Sequence, residues 1–243
     1  MNGITIGAAV TGAVVFLIGA LRTAIRNSLP ESVRIEPVGL DAAPGSIREL
    51  ARAFEELGFR QIGIRRIHLQ NPAVLAALVR EDGGAFATAY RVEDGANSKI
   101  VCDVVTPVAT REGTLTTSMD VGAGCLTIAD DSFMQIFPGG SPDELWHRHQ
   151  LALKFLREQG VGVHPCRDEE FDGRVAGSFP RQRRKFEEAP WRNTIVALWR
   201  VLTKSSPYTG PVAVQRPTAA KVSNLKTGGQ PRSRDAVLER VDH

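Results

Sequence analysis

Cysteine is scarce in this 243-residue chain: Cys102, Cys125 and Cys166 are the only three. They are odd in number and far apart in sequence. That excludes a disulfide framework and suits a reducing compartment. Charge of one sign is also scarce. Thirty Lys and Arg against 27 Asp and Glu leave a formal +3, too little to argue for nucleic acid, and no nucleic-acid partner is expected. Nucleotide and nucleophile signatures are missing as well. There is no G-x-x-x-x-G-K-[ST] and no G-x-S-x-G, and Gly122-Ala123-Gly124-Cys125 lacks the third glycine of a dinucleotide fingerprint. Cys125 with His68 or His164 as base is the nearest approach to a catalytic pair, and nothing in the sequence places them together. The expectation is a non-enzymatic protein with no catalytic residue and no cofactor.

The most informative absence is local. Ile4 to Leu21 holds eighteen residues without a charge. As a helix it spans roughly 27 Å, close to the roughly 30 Å hydrocarbon core of a bilayer. It reads as a single transmembrane anchor over residues 1–26. A cleavable signal fits less well, because no basic side chain precedes the apolar run and Ala20-Leu21-Arg22 is a poor cleavage site. Arg22, Arg26 and Arg34 follow the run, whereas Met1, Asn2 and Gly3 carry no positive side chain. Positive charge stays inside, so the expectation is an inner or plasma membrane of bacterial type, N-terminus out and the rest cytoplasmic. Ala8 with Gly12, and Ala9 with Ala13, are small-xxx-small pairs through which another membrane helix can approach closely. Arg22 can snorkel to the headgroups.

Beyond the anchor, the pattern predicts an α+β chain. Residues 27–45, with Pro30, Pro37 and Pro44, read as a linker. Residues 46–166 read as a two-layer domain of about five antiparallel strands packed by two long helices. Ser46 with Glu49, and Ser141 with Glu144, are capping boxes that open those helices, and Gly58 and Gly160 close them. Phe59–Leu69 reads as a strand whose phase changes near Arg65-Arg66, suggesting a bulge. Asn71-Pro72 is expected to open a short helix carrying Val74, Leu75, Leu78 and Val79. A meander follows over 85–92, 99–105 and 114–121, with a fifth strand within 125–137.

Two histidine pairs invite a metal reading, His147-x-His149 and His164-x-Cys166. Residues two apart on a helix point about 200° from one another, so His147 and His149 cannot share an ion. His149 lies on the apolar stripe and is expected to be a satisfied core histidine. No metal site is predicted.

The segment 167–204 begins as a charged, irregular stretch with the basic cluster Arg181, Arg183, Arg184 and Lys185. It continues as a helix in which Trp191, Ile195, Leu198, Trp199 and Leu202 make one apolar stripe. Two readings compete: the helix packs this stripe on the core, or it lies on an anionic lipid surface with the basic residues towards the phosphates. Residues 205–243 read as an extended tail suited to docking on a partner subunit. The functional expectation is an accessory or assembly subunit of a larger membrane complex, contacting other membrane subunits and anionic lipid. A membrane-tethered small-molecule or lipid-binding domain is the alternative, and an enzyme of unknown class comes third.

Overall fold

The computed structural model describes residues 16–69, 72–94, 97–110, 112–120, 122, 128–203 and 208–211. The α+β class holds, with seven strands among the described residues where about five were expected. The strands are β1 (Arg34–Val38), β2 (Phe59–His68), β3 (Ala73–Arg80), β4 (Phe86–Asp94), β5 (Asn97–Pro107), β6 (Thr114–Ser118) and β7 (Phe133–Ile136). They form one sheet in sequence order. Every neighbouring pair is antiparallel except β6 with β7, which is parallel. The helices are α1 (residues 16–28), α2 (Gly45–Glu56), α3 (Pro142–Glu158), α4 (Phe171–Glu187) and α5 (Pro190–Thr203).

Both extra strands have clear physical origins. β1 lies inside the expected linker, and Pro37 sits in it opposite Arg65. An edge strand tolerates proline because one side of its backbone needs no donor. β3 replaces the short helix expected after Asn71-Pro72. Its run AVLAALVR is apolar at almost every position, so helical and strand periodicity both fit it. Eight residues are short for a helix and suit a central strand buried on both faces.

One face of the sheet carries α2 and α3. Ile64, Ala76, Ala89 and Cys102 form a row across β2 to β5 on that face. With Leu78, Ala87 and Val104 they meet Ile47, Ala51 and Phe54 of α2 and Leu145 of α3. The alanines let α2 lie close to the strands. The opposite face is covered too, which departs from the two-layer expectation. Ile67, Leu75, Ala77, Val79 and Phe86 pack there with Phe171, the first residue of α4. Phe171 meets Phe86 edge-on at 5.4 Å.

Several local expectations are refined. Ser141 caps α3 as read, accepting the Glu144 backbone N–H at 3.2 Å. α2 instead starts at Gly45 with Pro44 as N-cap and no side-chain cap bond, so Ser46 does not perform that role. The bulge in β2 falls between Gln61 and Gly63 rather than at Arg65-Arg66. Gly63 has φ 135°, which an L side chain rarely adopts. Gly58 closes α2 as expected, with φ 83°.

The stretch 167–190, expected to be irregular, is mostly α4. Gly173, Gly177 and Pro180 are poor helix residues, and tertiary contacts override them. Phe171 and Phe186 are buried at its two ends. Along its length Asp172 accepts from Arg65 Nε at 2.8 Å, and Arg181, Arg183 and Lys185 reach acids elsewhere in the chain.

Among the described residues no helix is long and apolar enough to cross a membrane. Residues 4–15 of the expected anchor, with Ala8 and Gly12, lie outside the described residues. What is described of that segment is helical and continues to residue 28. Of the tail, 208–211 are described. Ile136 donates its N–H to Tyr208 O at 2.7 Å and accepts from the Gly210 N–H at 3.1 Å, so the tail adds to the β7 edge.

Candidate membrane-facing surface and the α4 cavity

α5 follows α4 after a short break, and its orientation is set by that junction. Asn193 Nδ2 donates to the carbonyls of Lys185 at 3.2 Å and Phe186 at 3.0 Å. These are carbonyls of α4's last turn, which need donors. Asn193, Thr194 and Ala197 are therefore the buried residues of α5. Trp191, Ile195, Trp199 and Leu202, at i, i+4, i+8 and i+11, are left facing outwards. Trp199 is 66% exposed and Leu202 71%. Leu198 is half-buried beside them. The apolar stripe thus does not pack on the core; the helix is turned the other way.

α1 joins this surface. The Arg22 guanidinium lies over the Trp191 ring at 5.0 Å, and Arg26 reaches Glu187 of α4 at 3.4 Å. Phe16 and Leu17, the first described residues of α1, are also exposed, Phe16 at 79%. Exposed aromatic and aliphatic side chains on two neighbouring helices exceed the scattered apolar residues of an ordinary surface.

The basic cluster is arranged differently from the expected row facing lipid. Arg181 pairs with Asp131 and also donates to Glu112 O. Arg183 pairs with Glu31 at 3.0 Å and Glu187 at 3.1 Å, and donates to Leu29 O at 3.2 Å. Lys185 pairs with Asp130 at 3.0 Å and Glu188 at 2.6 Å. Its partners hold its ammonium above the ordinary lysine value: the Glu188 hydrogen bond is the largest cause, and the Asp130 bond adds to it. These three side chains tie α4 to the segment before β7 and to the turn between α1 and β1. Arg184, with Arg192 on α5, is exposed instead.

His149 is the satisfied core histidine that its position implied. Its ring is fully buried, and the network fixes its tautomer. Thr106 Oγ1 donates its proton to Gly84 O at 2.8 Å, so it must accept from His149 Nε2, 2.8 Å away. His149 Nδ1 then accepts from Thr117 Oγ1 at 2.8 Å, and Thr117 accepts from Gln135 Nε2 at 2.7 Å. Burial pushes the imidazole pKa down to about 3. The relay joins α3 to β5, β6 and β7. No group of three or more His, Cys, Asp or Glu that could hold a metal exists among the described residues. Cys125 lies outside them, and Cys102 and Cys166 are buried thiols whose pKa burial pushes up to about 12.

Asp103 is the opposite case on the other face of the sheet. It accepts the Tyr90 hydroxyl at 2.8 Å, and burial, with Asp120 adding, raises its pKa to about 6. Its effect on stability opposes that of His149. The folded-state pKa of Asp103 is raised, so its contribution is present below the unfolded value and lost as pH rises through about 6. The folded-state pKa of His149 is depressed, so its contribution is present above the unfolded value and lost as pH falls towards about 3. Between about pH 4 and 6 the two slopes, each about 1.4 kcal/mol per pH unit, cancel. In Asp103→Asn the histidine slope is expected to appear alone. Urea unfolding from pH 6 to 4 should show the variant losing about 1.4 kcal/mol per unit relative to the parent chain.

Between α4 and the β6–β7 side of the sheet lies a cavity of about 680 Å³, within the usual range for a small-molecule site. Thr116 and Met134 line it from the sheet, and Gly173, Gly177, Arg181 and Arg184 from α4. Cβ atoms built at Gly173 and Gly177 have nothing within 4 Å. Each glycine weakens the helix by about 1 kcal/mol relative to alanine, and no steric need for it exists. Gly177→Ala is expected to stabilise the fold by roughly that amount, read as a raised urea midpoint at unchanged m-value. A smaller cavity of about 300 Å³ adjoins the first, sharing Glu170 and Arg174 with it and adding His164, Pro165 and Arg167.

The site residues read from sequence therefore separate. Arg22, Arg26, Trp191, Ile195, Trp199 and Leu202 meet at one surface, while Arg181, Arg183 and Lys185 bind the fold together. The cavity was not read from sequence; the one available signal was two glycines and a proline inside a helix, and it resembles a loop. No protein family, no curated protein and no solved structure matches this chain.

Proposed function

We propose that this protein is a non-enzymatic, membrane-anchored accessory subunit. The apolar N-terminal segment spans the bilayer, and α5 lies along the inner surface beside it. The observation that supports this reading is the outward stripe of α5, held next to α1 by the Arg22–Trp191 contact. Tryptophan suits the headgroup region, where an apolar ring with one polar edge is at home. Arg22 and Arg192 would meet anionic lipid there, adding a modest attraction each. Arg22, Arg26 and Arg34 put the folded domain on the cytoplasmic side. The span would offer Ala8 and Gly12 to a neighbouring helix, and the tail beyond the β7 edge would reach a partner subunit. In such an arrangement the span supplies retention, while α5 fixes how the domain stands on the surface.

The test is mild detergent extraction followed by a native gel and mass spectrometry. The protein should migrate with other membrane proteins, and it should stay in the pellet after an alkaline carbonate wash. Migration alone, at the mass of one chain, would remove the subunit reading. The second reading, a membrane-tethered binding domain, is favoured by the α4 cavity.

A further inference from the structure

The α4 cavity carries features that packing does not explain. Its helical wall is kept bare by Gly173 and Gly177, although larger side chains would meet nothing at their first carbon. Pro180, also on this wall, offers no N–H to the helix. Ile128 and Met134 make part of the remaining lining apolar.

The adjoining chamber is polar and cationic. His164 Nε2 is closed off from solvent and has no hydrogen-bond partner among the described residues. Buried polar atoms are rarely left so. Arg167 and Arg174 line the same chamber. Glu170 is the one carboxylate among its described lining residues, and it accepts from Arg174 at 2.8 and 3.1 Å. Two guanidinium groups therefore stand beside a ring nitrogen that has no partner among the described residues. That combination suits an oxyanion. From Arg174 to Arg184 α4 rises about 15 Å, which gives a long groove leading away from the cationic end.

We propose that the two chambers form one binding site for an anionic single-chain amphiphile. Its acid group is held by His164, Arg167 and Arg174, and its chain lies along Gly173, Gly177 and Met134. This site shares no residue with the outward stripe of α5, so it stands or falls separately from membrane docking.

Photolabelling tests it. The full chain, in nanodiscs of phosphatidylcholine, is irradiated with a palmitic acid that carries a diazirine on its chain, and the labelled peptides are mapped. Label is expected on 128–134 and 173–184, displaced by palmitate but not by acetate or hexadecanol. Gly177→Leu, which fills the groove, and Arg167→Gln, an exposed change, should each reduce that label by about tenfold or more. Label on α5 should be unchanged in both variants. Delivering the probe from albumin or from vesicles identifies an aqueous or a membrane source, and labelling of the cavity in either arm supports the site. Label confined to α1 and α5, label indifferent to both substitutions, or equal displacement by acetate or hexadecanol would overturn the proposal.

Discussion

His149→Ala is expected to destabilise the fold by about 3–5 kcal/mol. Two physical terms add. Removing a fully buried ring leaves a cavity between α3 and the sheet, and large-to-small core changes typically fall in a range of about 2–5 kcal/mol. The second term is polar. Thr106 and Thr117 each lose a ring nitrogen held at 2.8 Å, and a buried hydroxyl without its partner costs about 1–3 kcal/mol. Trp146, stacked on the ring at 6.0 Å, loses that contact as well. Chemical denaturation at pH 7 measures the effect. A loss below about 1 kcal/mol would mean that the relay from Gln135 to Gly84 does not hold α3 in place.

The second large effect concerns the outward face of α5. Trp191→Glu together with Trp199→Glu is expected to release α5 from the membrane surface while leaving the fold intact. Both rings are at least half exposed, so their removal opens no core cavity. Each would bury roughly 100 Å² on entering the interface, worth about 2.5 kcal/mol at 25 cal/mol per Å². Losing both is about 5 kcal/mol, a shift of more than a thousandfold in the local docking equilibrium. Two carboxylates beside anionic lipid add repulsion. The readout is protection of α5 against proteolysis in vesicles, which the double variant should lose while thermal unfolding is unchanged. If protection persists, the stripe faces a protein partner or nothing at all.

These two sites also show how far the sequence could be read. α3 was legible because its signals are local: Ser141 caps it, Glu144 answers three residues later, and the apolar spacing runs unbroken to Leu156. His149 was legible for the same reason, since it falls on that stripe. The existence of α5 was legible from periodicity, but its orientation was not. The amphipathic pattern gives the direction of the apolar face, and says nothing of what meets it. The deciding contacts, Asn193 to the last carbonyls of α4, exist only because α4 ends there. α4 itself was hidden by Gly173, Gly177 and Pro180, each a weak helix residue, and it is held by distant partners such as Arg65, Asp131 and Glu31. The same hidden partners made the basic cluster look like a free cationic surface. β3 failed for a simpler reason: a run that is apolar on every side carries no period to read.

The proposed seat of α5 in the membrane interface can be measured directly through its tryptophans. The chain has three tryptophans, Trp146, Trp191 and Trp199. Trp146 packs in the core against Phe59 at 5.3 Å, so Trp146→Phe leaves emission from the α5 pair alone. Reconstituted in vesicles whose lipids carry bromine just below the headgroups, this variant should show strongly quenched, blue-shifted fluorescence. Bromine placed near the bilayer centre should quench it less. Emission at the wavelength of water-exposed tryptophan, indifferent to bromine at either depth, would contradict the account.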